Sequence, residues 1–340
     1  MPLNKEYVIK RVLHMIIVVF GVLIITFLIT RVLPSNPALL WAGPHATIEQ
    51  IKKAEEELHL NQPLYVQLYL YIVELLKGNW GISWRTRSAV LSDIASALPA
   101  TLELVIASFL IAIAIGIPLG VAAALKRGKA LDQVIRVLSV LGASMPVFWL
   151  ALIAQLVFSS WLGWFPAAKR VDEALALETG FHPITGFFLM DSLIQGNIAV
   201  FLDVLKHIIL PAVILSLYPM SLSARMTRAM MVEVLNEHYV RSALAWGLPG
   251  KLVTFKYALK NAISPVIASL GLSFGYTIIG AFMVELIFVW PGIGLYAAMS
   301  LLSFDYPAVI GVVIIVAIFY SVINLVVDLI HASIDPRVKL

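Results

Sequence analysis

The stretch NEHYVRSALAWGLPGKLVTFKYALKNAISPV runs from Asn236 to Val266. Within EHYVRSALAW, Tyr239, Val240, Ala243 and Trp246 recur at helical spacing along one side. Glu237 and Arg241 lie four residues apart, the separation at which opposite charges pair on a helix. Gly247 is placed to end that helix in a left-handed conformation. Pro249 prevents its continuation. A second helix is expected from Lys251, with Lys256 and Lys260 on its polar side and Phe255, Ala258, Leu259 and Ala262 on its apolar side. Two short amphipathic helices around a Gly-Leu-Pro-Gly break would form a compact basic knob. Two readings of such a knob are equally open: a surface helix lying on anionic lipid, or a docking element for a partner in the aqueous phase.

What surrounds the knob decides that it belongs to a membrane protein. Of 340 residues, 61% are hydrophobic and 13% charged, against about 45–50% and about 25% in soluble domains. A spanning helix needs about 20 mostly apolar residues. Six candidates are Val12–Thr30, Thr101–Leu125, Val137–Ser160, Ile208–Ala224, Val266–Phe288 and Ala308–His331. The first has Lys10 and Arg11 before it, but no small-residue cleavage site follows, so it reads as a retained helix. With the N-terminus inside, the inner segments 1–11, 126–136, 225–264 and 332–340 carry Lys and Arg at about three times the density of the outer segments 31–100, 161–206 and 286–307. Both termini and the knob are therefore expected on the cytoplasmic side. This topology, rather than nucleic acid, accounts for the net charge of +4.

The outer segment 31–100 is too long to lack structure. TIEQIKKAEEELHL reads as a helix capped by Thr47, and QPLYVQLYLYIVELLKG as a helix along the outer leaflet with Tyr65, Tyr69 and Tyr71.

Several chemistries are missing from the pattern. Cysteine is absent, which removes thiol nucleophiles and Cys-ligated metal. No phosphate-binding loop occurs, since Gly250-Lys251 continues with Leu252. No histidines pair at ligand spacing, so no metal site is expected. No nucleophile–base pattern marks a membrane enzyme. Glu103, Glu285 and Asp328 lie toward span ends, where they are expected to meet water, and no acid sits mid-span to couple an ion. A transport protein of this composition must take its energy from elsewhere; a scaffold that only docks a partner is the other class left open.

The knob residues also resemble the cytoplasmic loop of ABC-importer permeases, a Glu-Ala-Ala pattern followed three residues later by Gly. The aligned residues here are Arg241, Ser242, Ala243 and Gly247, a departure similar to the YVR-containing loop of the dipeptide/oligopeptide branch. LNQPLYVQ (60–67), LPATLEL (98–104), GIPLGVAAAL with KRGKALD, SMPVFWLALI (144–153), VELIFVWPGIGL (284–295) and the terminal DPRVKL resemble the same branch, in the same order. The chain thus resembles a B-type membrane subunit of that family.

The resemblance implies an all-α integral membrane protein of type I ABC importer permease fold, with six transmembrane helices, an extra N-terminal helix (1–31), an extracytoplasmic insertion (32–100) and a permease core (101–335) whose coupling loop covers about 225–264. It implies a second, C-type permease subunit, two ATP-binding subunits that use ATP and Mg, an external substrate-binding protein, and no cofactor on this chain. The cargo implied is dipeptide or oligopeptide, with oligosaccharide or nickel chelate as the alternative within the family. Coupling-loop residues carried over are Tyr239, Arg241, Ala243, Gly247 and Leu248. Candidate pathway residues are Ser144, Met145 and Pro146 at a bend in the third span, Ser216, Tyr218 and Ser223 on the fourth, and Ser273, Tyr276 and Thr277 on the fifth. For each of these, helix–helix packing is the competing reading. Glu285, Trp290, Pro291 and Gly292 form an outer-end turn, either structural or a contact for the binding protein.

Overall fold

A computed structural model describes residues 5–32, 37–42 and 46–334. The expected ending DPRVKL and the side chain of Asp328 lie outside the described residues. In chain order the helices are α1 (Lys5–Val32), α2 (Pro37–Ala42), α3 (Ile48–Glu57), α4 (Leu64–Leu76), α5 (Val90–Leu125), α6 (Ala130–Ser144), α7 (Val147–Ala154), α8 (Glu173–Glu178), α9 (Phe188–Ile194), α10 (Ile198–Val234), α11 (His238–Ala245), α12 (Gly250–Leu252), α13 (Lys260–Ile287), α14 (Ile293–Leu302) and α15 (Tyr306–Ile334). Two π-helical segments, Gln155–Trp161 and Val253–Leu259, continue α7 and join α12 to α13.

Five described stretches are long and apolar enough to cross a membrane: Ile9–Ile29, Val90–Leu125, Ile198–Val234, Gly250–Ile287 and Tyr306–Val326. A sixth crossing results if α6 and the helix Val147–Trp161 together make one span, although they meet at 102°. The span expected over Val137–Ser160, with its bend at Pro146, is this broken pair. Pro146 lacks an N–H and disfavours helical geometry in the residue before it, and Met145 is extended at φ −75°, ψ 135°. The expected fourth span, Ile208–Ala224, is the middle of the 37-residue α10. The Asn197 side chain caps α10 by accepting from the Val200 N–H at 3.1 Å, and Pro211 and Pro219 are accommodated inside the helix. The second knob helix is not separate either, because Gly250–Ile287 runs as one helix into the fifth span.

The chain divides into two compact units. The first comprises Pro99–Pro291 with residues 5–7 and 323–334. Its core gathers Leu104, Val105, Ile208, Leu215, Val284, Phe288 and Trp290, so α5, α10 and α13 bury their apolar faces against one another. Small residues bring α5 almost onto the backbone of α10. A Cβ added at Gly116 would lie 2.8 Å from the Met220 carbonyl oxygen, and one at Gly120 2.6 Å from that of Ala224. Gly116 and Gly120 have the four-residue spacing of close helix pairs in membranes. Asp132, at the start of α6, is held by the Arg228 guanidinium of α10 through two bonds, Nη2 to Oδ2 at 2.8 Å and Nε to Oδ1 at 2.5 Å.

The second unit comprises Val8–Leu98 and Gly292–Val322. As the sequence implies, Thr47 caps α3, in a reciprocal box with Gln50. Leu68, Tyr71, Ile72 and Leu75 of α4 pack with Trp80 around Leu23 of α1 and Ile310 and Ile314 of α15. Asp305 is buried beside the Ser83 hydroxyl, which donates to it.

Candidate functional site

The knob is built from α11 and the turn after it. Val240 and Ala243 are buried with Val253, and Val234, Leu235 and Leu248 close over them. The helix ends in a Schellman motif. The Leu248 N–H donates to the Ala243 carbonyl at 3.2 Å, and the Gly247 N–H to that of Leu244 at 3.0 Å. Gly247 has φ +76°, a conformation that costs residues with a Cβ about 1 kcal/mol or more. Nothing lies within 4 Å of where its Cβ would be, so glycine is there for its backbone and not for space.

The carried-over residues separate into two groups. Ala243 and Leu248 hold the knob together from inside, whereas Arg241 is exposed. Tyr239 is also exposed; its hydroxyl accepts from the Asn261 amide at 2.8 Å and lies 3.4 Å from the Tyr257 carbonyl oxygen. The shared face expected for Tyr239, Val240, Ala243 and Trp246 is corrected: Val240 and Ala243 turn inward, and Trp246 is 85% exposed. Leu244, outside the expected apolar side, is exposed as well. Among the described residues no ion pair joins Glu237 to Arg241; their contact is a backbone bond, Arg241 N–H to Glu237 carbonyl. The outward face of α11 therefore offers Leu244 and Trp246 beside Arg241.

The candidate pathway residues also divide. Met145, Tyr218, Tyr276 and Thr277 line one concavity of about 360 Å³, with Gly142 and Leu215. Tyr276 is 67% exposed, and its ring centroid lies 6.1 Å from that of Tyr218. Among the described residues no charged side chain lines this cavity. Ser144 and Pro146 are exposed at the helix break, outside its lining. Ser216 and Ser273 are buried and donate to carbonyls of their own helices, Val213 and Leu270, each at 2.7 Å. Thr277 likewise donates to the Ser273 carbonyl at 3.0 Å. Ser223 is buried against α5, where a Cβ on Gly116 would meet it.

The outer-end turn is part of a buried knot. Trp290 is fully buried, and its indole N–H donates to the Ala100 carbonyl at 2.9 Å. The Thr101 hydroxyl donates to Glu285 at 2.6 Å. Arg170 donates to Glu103 at 2.5 Å and to the Gly186 carbonyl at 2.8 Å, with its guanidinium 3.7 Å from the centre of the Phe188 ring. The expectation that Glu103 and Glu285 meet water is thus corrected: both are buried, held by Arg170 and Thr101 respectively. Pro291 is exposed, and Gly292 precedes α14 in an extended conformation. Nearby, Asp191 is fully buried, which raises its pKa. Bonds from the Thr185 hydroxyl and the Thr185, Ile184 and Gly186 N–H groups outweigh this and hold it below the usual carboxylate range.

Comparison with known proteins covers nearly the whole chain. Residues 116–340 match the family described as binding-protein-dependent transport system inner membrane component, and residues 5–105 match its N-terminal component. A probable D,D-dipeptide transport system permease protein of Escherichia coli (strain K12) is 42% identical over 97% of this chain and 96% of its own. A dipeptide transport system permease protein of Alkalihalophilus pseudofirmus is 39% identical over 98% of this chain and 99% of its own. A di/tripeptide transport system permease protein of Pseudomonas aeruginosa (strain UCBPP-PA14) is 40% identical over 98% of each chain.

Proposed function

We propose that this chain, which belongs to the family of binding-protein-dependent transport system inner membrane components, forms half of the translocation pathway of an ATP-driven importer of dipeptides or oligopeptides. The relatives' transport of dipeptides and tripeptides supports that cargo. An uncharged cavity lined by Tyr218 and Tyr276 suits peptides whose net charge is small. Its partners are a C-type permease subunit, two ATP-binding subunits that consume ATP and Mg, and an external binding protein. Both termini are cytoplasmic, residues 32–100 form the outer insertion, and the core follows from 101.

The observation that carries the reading is the knob. Its inner face is self-packed, its turn is fixed by Gly247, and it lies between α10 and the continuous helix Gly250–Ile287. A displacement of α11 is therefore delivered to two membrane helices. ATP-driven closure of the partner ATPases moves this knob as a lever, and the spans switch between two rigid arrangements. Leu244, Trp246 and Arg241 supply the contact, with Tyr239 bracing it. The test is uptake of radiolabelled dipeptide by proteoliposomes holding the complete complex with Gly247→Pro. Proline fixes φ near −65° and removes the N–H that donates to Leu244. Transport should fall to background while insertion of the chain persists. Normal uptake would refute the lever.

A further inference from the structure

The second unit holds another cavity, of about 310 Å³, lined by none of the knob or candidate pathway residues. That volume suits a small molecule. Aromatic rings contribute to its walls, four of them held in two pairs. Phe27 stacks on Tyr71 with ring centroids 5.8 Å apart. Trp84 meets Tyr306 edge to face at 5.5 Å, and Trp80 adds a fifth ring. Tyr71 and Trp80 are anchored by packing in the cluster around Leu23 and Ile310, so the rings are set before any ligand arrives.

Among the described residues the ionisable groups lining this cavity are the Glu57 and Glu74 carboxylates and the His59 imidazole, with no Lys or Arg. Glu74 already accepts from the Lys77 ammonium at 2.8 Å and the Asn79 amide at 2.9 Å. Glu57, exposed at the end of α3, makes no side-chain hydrogen bond or ion pair among the described residues. An unpaired carboxylate at the mouth of a ring-lined cavity disfavours anions. It favours a cation that can leave water for aromatic faces.

We propose that this cavity binds a primary ammonium carried on an apolar or aromatic stem, with Glu57 pairing the ammonium and the rings enclosing the stem. This proposal is independent of the transport reading. The same chemistry is presented by the amine headgroup of a lipid and by the α-ammonium of a peptide.

The test is titration calorimetry on the full chain in detergent, with phenethylammonium as probe and 2-phenylethanol as its neutral counterpart. Saturable binding of the ammonium is expected, weakened about tenfold for the alcohol, as for the loss of one cation–π or ion-pair contact. Glu57→Gln should weaken the ammonium by a similar factor while leaving thermal unfolding unchanged, and Trp84→Leu should weaken both probes. Displacement of the probe by the dipeptide Phe-Ala but not by its N-acetyl form would assign the peptide source. Displacement by nanodiscs of phosphatidylethanolamine but not of phosphatidylglycerol would assign the lipid. Absence of saturable binding, equal affinity for the alcohol, or indifference to Glu57→Gln would overturn the proposal.

Discussion

Replacing Gly120 by alanine should separate α5 from α10, and the cost can be worked from distances. The added Cβ would lie 2.5 Å from the Thr227 Cβ and 2.6 Å from the Ala224 carbonyl oxygen. Ordinary contact needs about 1 Å more, and neither a Cβ nor a backbone oxygen can swing away, so the helices must part. Overpacking of this kind costs about 1–3 kcal/mol. Gly142→Ala is the internal control. Its Cβ would meet only the Ser221 hydroxyl closely, at 2.6 Å, with the nearest backbone oxygen at 3.6 Å. A hydroxyl can change rotamer, and both substitutions gain the same helix propensity, up to about 1 kcal/mol. The difference between the two variants therefore isolates the backbone clash. Unfolding of the detergent-solubilised chain by SDS, followed by far-UV circular dichroism, should show Gly120→Ala less stable than Gly142→Ala by about 1–3 kcal/mol. Equal stability would mean that α5 and α10 are not in near-backbone contact.

Arg170→Ala should destabilise the first unit by about 3–5 kcal/mol, because it strands the buried Glu103 carboxylate; Glu103→Gln combined with Arg170→Met should recover part of that loss in the same unfolding assay. Asp191→Asn should destabilise at pH 7. Because the native pKa of Asp191 is depressed, its contribution is fully present above the unfolded value of about 3.9 and is lost as pH falls through the native value. The gap between wild type and Asp191→Asn, followed by thermal unfolding, should therefore narrow only below pH of about 4. Gly247→Ala, with open space around its Cβ but an unfavourable φ, should cost about 1 kcal/mol and reduce dipeptide uptake less than Gly247→Pro does.

Local signals were readable from the chain where one residue dictates its own backbone. Gly247 and Pro249 mark the end of α11, Thr47 caps α3, and Pro146 breaks the third span, because each limits φ or supplies a cap within a few residues. Helix lengths were not readable in that way. Lys206, Arg225 and Arg228 look like loop residues, yet α10 runs through all three, and Arg228 is held by Asp132 of α6. The outer knot was hidden for a related reason: Arg170 and Glu103 are 67 positions apart, and no local pattern announces that pairing. The polar faces of α10 and α13 were half legible. Tyr218, Tyr276 and Thr277 reach the cavity, but Ser216 and Ser273 bond back to their own helices, a choice made by which neighbour packs beside them. In the knob, the spacing placed Trp246 on the helix but not its environment, since burial of Val240 and Ala243 depends on Val253 arriving from the next helix.

The central claim is that α11 docks on an ATPase, and the chain's lack of cysteine makes it directly testable. Trp246→Cys introduces a single thiol on the exposed face of the knob. Cross-linking from this position in membranes containing the complete complex, with and without ATP, is the measurement to make. The account predicts a covalent adduct with an ATP-binding subunit whose yield changes with nucleotide. Labelling only by a membrane-partitioned maleimide, with no protein adduct in either state, would contradict it and put α11 on the lipid surface.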